Sequence, residues 1–90
     1  MFENLEQLIK TIRERKKSSP DKSYTNKLLS DKNLSVSKVK EEIRELIESV
    51  EKNSNKIHEA ADVVYHLMVY LEANNIKIED VMSELKKRQK

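Results

Sequence analysis
Three features of the sequence predict an all-α fold. Apolar residues recur at three- and four-residue spacing in separate stretches, the period of a helix. Polar breaks divide those stretches: Ser18-Ser19-Pro20-Asp21, Ser30 to Ser35, Lys52-Asn53-Ser54-Asn55 and Asn74-Asn75. No stretch alternates apolar and polar residues as a half-buried strand would.

Leu5, Leu8, Ile9 and Ile12 predict a first helix over residues 2–17, ended by the Ser-Ser-Pro-Asp break. Ser23-Tyr24-Thr25 opens a short helical turn carrying Leu28 and Leu29, and a polar connector, Ser30 to Ser35, follows it. Val36, Val39, Ile43, Leu46, Ile47 and Val50 then form one stripe along a second long helix. Asn53 and Asn55 in the next turn are both residues that cap helices well. A third long helix is expected over 55–73, and Ile78, Val81, Met82 and Leu85 mark a short last one. No internal repeat or linker divides the chain, so residues 1–90 are expected to form a single domain.

Composition narrows the function. Charged residues make up 38% and apolar ones 37%, which leaves a small core for one chain and predicts helices that bury further apolar surface in an oligomer. A formal charge of +2 does not call for a polyanionic partner. Without cysteine there are no disulfides and no thiolate zinc sites. Without glycine, the phosphate-binding loops of P-loop and dinucleotide folds are excluded, because they need it for tight turns and close backbone approach. No apolar run has membrane-spanning length, and Glu3 and Glu6 do not suit a secretory leader, so a soluble, cytoplasmic protein with no membrane contact is expected.

The third helix departs from the ordinary amphipathic pattern. With Ile57 at the centre of a helical wheel, Ala60, Ala61, Val64, Leu67, Met68 and Leu71 gather as the expected core stripe. Glu59, Asp62 and His66 lie opposite, flanked by Val63, Val69 and Tyr70. No Lys or Arg occurs between Lys56 and Lys77. A helix apolar nearly all round is buried on more than one side, and acidic groups set into it need a cation. The second helix carries a matching pair, Glu42-x-x-Glu45. Taken alone, that pair has a plain account as a solvated face. Beside Glu59-x-x-Asp62 on an antiparallel neighbour, it brings four carboxylates to one spot, which only a cation or a proton makes tolerable. All-oxygen donors favour Mg²⁺ or Mn²⁺ over zinc, and such ions serve phosphate chemistry.

Ser23-Tyr24-Thr25 with Leu28-Leu29, the run Lys38-Val39-Lys40-Glu41-Glu42-Ile43-Arg44-Glu45, and the run Glu59-Ala60-Ala61-Asp62-Val63-Val64-Tyr65-His66-Leu67 together resemble the phosphoribosyl-ATP pyrophosphohydrolases. That family is a member of the all-α MazG-type nucleotide pyrophosphohydrolases and serves the second step of histidine biosynthesis. The segment from Ile78 to Arg88 resembles the family's tail, so the similarity covers nearly the whole chain. Paired acidic motifs alone would indicate only the wider superfamily; the Ser-Tyr-Thr element and the Glu-Ala-Ala-Asp-Val-Val-Tyr-His run single out this member. The chain departs from the family at Lys40, where glycine is usual, and at Arg44, where a small residue is usual.

The resemblance implies hydrolysis of the α–β phosphoanhydride of 1-(5-phosphoribosyl)-ATP, with Glu42, Glu45, Glu59 and Asp62 as Mg²⁺ ligands and Mn²⁺ as the alternative ion. It makes Glu41 a candidate general base or orienting group, with an outward salt bridge the other account. Lys38 and Arg15 become candidate phosphate contacts; a pair with Glu41 or Glu42, and a solvated basic cluster, are the respective plainer readings. Tyr24 and Thr25 become candidate substrate contacts, Thr25 having a second account as a helix cap. His66 is read as a buried histidine hydrogen-bonded to a neighbour. A homodimeric helical bundle is expected, with a small-molecule nucleotide as substrate and a phosphoribosyl-AMP cyclohydrolase as the candidate protein partner. Two rivals stand beside this reading: a MazG-type enzyme acting on another nucleoside triphosphate, and a non-enzymatic helical binding module. Arg13 to Lys17 and the tail from Lys86 to Lys90 support the second, but no aromatic residues interleave with those charges, so no nucleic acid is expected.

Overall fold
The computed structural model describes residues 1–18 and 23–89. Ser19, Pro20 and Asp21 of the first break, and Lys90 of the basic tail, lie outside the described residues. The rest is helical: α1 Glu3–Lys16, α2 Tyr24–Ser30, α3 Lys32–Lys52, α4 Lys56–Ala73 and α5 Ile78–Arg88. No strand occurs among the described residues, as the apolar spacing led one to expect. No helix among them is long and apolar enough to cross a membrane.

Local chemistry explains the helix ends. The Ser23 hydroxyl accepts from the Asn26 N–H at 3.1 Å and starts α2. Asp31 accepts from the Leu34 N–H at 3.0 Å and starts α3. The expected connector from Ser30 to Ser35 therefore shrinks to Asp31 alone, because an Asp cap with no proline behind it lets the polar run continue as helix. Thr25 is not the cap of α2; Ser23 is. Between α3 and α4, Asn53 (φ 52°) and Asn55 (φ 56°) adopt the left-handed conformation, as does Asn75 (φ 59°) after α4. In a chain without glycine, asparagine takes these positions because its short polar side chain tolerates αL best among the others.

Ile12, Leu28 and Val69 form the fully enclosed core, with Leu8, Leu29, Leu34, Tyr65 and Met68 packed around them. Buried Asn26 holds α1 to α2 by donating its side-chain amide to the Arg15 carbonyl, which lies in the last turn of α1 where carbonyls lack an i+4 partner.

The orientation of α4 reverses the expected one. Val69 is 0% exposed, and His66 and Ala73 are also buried. Ile57, by contrast, is 88% exposed, and Val64 and Leu67 also face outward. The acidic side of α4 thus turns into the chain, against α2 and α3, and Ile57, Val64 and Leu67 of the expected core stripe turn out, while Met68 still packs on the core. Ile43, Ile47 and Val50 of α3 are exposed as well.

α5 is moored at its first turn. Arg13 donates to both carboxylate oxygens of Glu79, at 2.8 and 2.6 Å, and also meets Glu72 at 3.4 Å. Lys16 donates to the Glu72 carbonyl at 2.9 Å and to Asn75 Oδ1 at 2.8 Å. The Arg13 guanidinium holds the Glu79 carboxyl down at about 2. Beyond that mooring, a groove of about 910 Å³ opens between α1 and α5, lined in part by Phe2, Leu5, Ile9 and Met82.

Candidate metal centre
α3 and α4 make the most extensive helix pair, joined by the tight turn at Asn53 to Asn55 that folds one back along the other. This brings the acidic pairs together across the helix interface. One carboxylate oxygen from each of Glu42, Glu45 and Glu59 lies within 4.8 Å of the others. His58, Glu59 and Asp62 form a second set within the same limit, so Glu59 belongs to both. The four expected carboxylates do not share one set: Asp62 turns toward His58, with Oδ2 at 3.3 Å from Nε2.

The electrostatics of the cluster suit a cation. Burial, followed by the neighbouring charge of Glu45, pushes the Glu42 carboxyl up, with His66 opposing and Asp62 adding to the shift. Glu42 Oε2 and Glu59 Oε2 are buried and accept no hydrogen bond among the described residues. Buried carboxylate oxygens are normally satisfied, and leaving one bare is costly. A divalent ion would occupy those lone pairs and relieve the repulsion among the carboxylates, so the residues present fit such a group.

The other candidate residues surround this cluster unevenly. Lys38 donates to Glu41 at 3.1 Å, a bond that raises the lysine's affinity for its proton. The Tyr24 hydroxyl meets His66 Nε2 at 3.0 Å, and His66 Nδ1 meets the Asp62 carbonyl at 2.8 Å. A carbonyl only accepts, so Nδ1 carries a proton; in the neutral ring Nε2 then accepts from the tyrosine. Burial raises the Tyr24 phenol; Lys38 opposes that, and Tyr65, Glu42 and Glu41 add to it. The Thr25 hydroxyl bonds that of Tyr65. Arg15 is exposed in the last turn of α1, and its carbonyl accepts from the Asn26 side chain of α2.

Two neighbours escaped the sequence reading. His58 is exposed and one turn before Asp62, where a histidine signals nothing unless its carboxylate neighbours are known. Tyr65 could have been suspected from its place beside His66; its ring packs against both Tyr24 and His66.

Comparison with known proteins matches residues 5–89 to the model of the family described as phosphoribosyl-ATP pyrophosphohydrolase. A protein of Dechloromonas aromatica named phosphoribosyl-ATP pyrophosphatase is 39% identical over 88 residues, covering 94% of this chain and 82% of its own. One of the same name from Bacillus mycoides is 43% identical over 93 residues, covering 98% of this chain and 85% of its own. A Kluyveromyces lactis protein named histidine biosynthesis trifunctional protein is 41% identical over 78 residues, which are 87% of this chain but 10% of that one. No solved structure matches significantly. With the family model spanning nearly all of the helices whose acidic faces meet at Glu59, the chain belongs to the phosphoribosyl-ATP pyrophosphohydrolase family.

Proposed function
We propose that the chain, as a single domain over residues 1–90, hydrolyses the α–β phosphoanhydride of 1-(5-phosphoribosyl)-ATP. The products are 1-(5-phosphoribosyl)-AMP and pyrophosphate, as in the second step of histidine biosynthesis. The observation that carries this reading is the meeting of Glu42, Glu45 and Glu59 with two orphaned oxygens, in a chain matched by that family over residues 5–89.

Glu42, Glu45, Glu59 and Asp62 would hold Mg²⁺, with Mn²⁺ as the alternative. When bound, the ion neutralises polyphosphate charge, including that growing on the leaving pyrophosphate, and acidifies water. In the reaction, a water oxygen bonds to one phosphorus of the α–β bridge, the bridging P–O bond breaks, and the water proton passes to a base. Glu41 lies one residue from Glu42 and takes that proton once Lys38 exchanges its 3.1 Å pair with Glu41 for a phosphate oxygen. Tyr24, oriented by His66, and Thr25, oriented by Tyr65, present polar groups from α2 to the substrate. Arg15 supplies a further positive charge for a distal phosphate.

The exposed apolar residues of α3 and α4, Ile43, Ile47, Val50, Ile57, Val64 and Leu67, support a homodimer joined across this face as a helical bundle. The name of the Kluyveromyces lactis relative, a trifunctional protein of histidine biosynthesis, supports a partner from that pathway, for which the chemistry of the product suggests a phosphoribosyl-AMP cyclohydrolase. A cytoplasmic location accords with a biosynthetic role. The test is pyrophosphate release from phosphoribosyl-ATP with and without Mg²⁺, beside a panel of ordinary nucleoside triphosphates. Mg²⁺-dependent release from phosphoribosyl-ATP alone is expected; release only from another triphosphate would overturn the substrate.

A further inference from the structure
We propose that His58 lends a ring nitrogen to the metal centre, so that the donor set His58, Glu59 and Asp62 takes a borderline divalent ion such as Mn²⁺ in preference to Mg²⁺. The proposal rests on the metal reading above and concerns a residue outside the paired acidic motifs. His58 and Asp62 are one helical turn apart on α4, on one face, and Glu59 sits between them. One donor atom from each lies within 4.8 Å of the others.

The plain account of His58 is a surface pair with Asp62, whose atoms stand at 3.3 Å. That pair leaves Glu59 Oε2 buried and bare. A cation shared by all three residues would satisfy that oxygen, as one in the carboxylate set would, and keep His58 beside Asp62. Glu59 also belongs to the all-oxygen set with Glu42 and Glu45, so the two sets adjoin through one carboxylate. They differ in chemistry: three carboxylates suit a hard ion, whereas an imidazole among them favours a transition ion. The chain has two histidines, and the other, His66, already engages both ring nitrogens with Tyr24 and Asp62. Any histidine nitrogen on the ion is therefore assigned to His58.

The experiment is a Mn²⁺ titration of the full chain followed by electron paramagnetic resonance, with spin-echo modulation to detect a coordinated ¹⁴N. The native chain and His58→Ala are compared; His58 is exposed enough for the variant to fold. Expected is a nitrogen modulation that disappears in the variant, with Mn²⁺ affinity about tenfold weaker and Mg²⁺ affinity, read by competition, changed much less. Mn²⁺ binding without nitrogen modulation, or with modulation unchanged in His58→Ala, would overturn the role of His58 and leave the carboxylate centre standing. Absence of Mn²⁺ binding in both chains would sink the metal reading and this inference with it.

Discussion
Glu59 stands where the two donor sets overlap, and its buried oxygen has no hydrogen-bond partner among the described residues. Replacing it with the neutral isostere removes charge from both sets while keeping the side chain's shape. Glu59→Gln combined with Asp62→Asn is expected to reduce Mg²⁺-dependent pyrophosphate release to background while the helical circular dichroism is unchanged. The same variant should melt higher than the native chain without metal, since like charges no longer face one another. Persistent turnover in the double variant would remove these residues from the metal site. Of the residues involved, the acidic pairs were legible because charge without compensation is unusual on an apolar helix. His58 was not, because an exposed histidine acquires meaning only from what the fold sets beside it.

Helices supply the next scale, and here the asparagines carry the turns. Asn53→Ala removes the short polar side chain that makes the left-handed conformation tolerable and is expected to destabilise the fold by about 1 kcal/mol, read from the urea midpoint; Asn53→Gly should retain or raise stability. The mooring of α5 has a pH signature. Glu79 is held at about 2 against an ordinary 4.5, so its contribution is complete above about 4.5 and is lost as pH falls toward 2. Glu79→Gln should flatten the decline of melting temperature over that range, and an unchanged acid slope would show that the pair is not holding α5. Helix positions were readable from apolar spacing and polar breaks. The start of α3 was not, since the Ser30 to Ser35 run looks like a connector until Asp31 is seen capping it. Nor was the facing of α4 readable: a hydrophobic stripe reveals which side seeks cover, but not whether its own chain provides it.

For the molecule as a whole, that facing separates two kinds of burial. The core of Ile12, Leu28 and Val69 is closed within the chain, and Leu28→Ala should cost about 2–5 kcal/mol of unfolding free energy. The face bearing Ile47 and Leu67 is left open. Leu67→Arg is expected to convert a dimer into a monomer by sedimentation velocity, and a native chain that sediments as a monomer at all concentrations would overturn the proposed assembly.

The hairpin of α3 and α4 also bears on how the protein acquires its shape. Glu42, Glu45, Glu59 and Asp62 all belong to this one pair of consecutive helices, joined by the short bend at Asn53 to Asn55. Closing so short a loop carries little entropic cost, and contacts between adjacent helices are among the quickest a chain can make. The carboxylates can therefore meet before α1, α2 and α5 have settled. Their mutual repulsion would act on that nascent hairpin, making the ionic conditions of refolding a determinant of its rate as well as of the finished protein's stability.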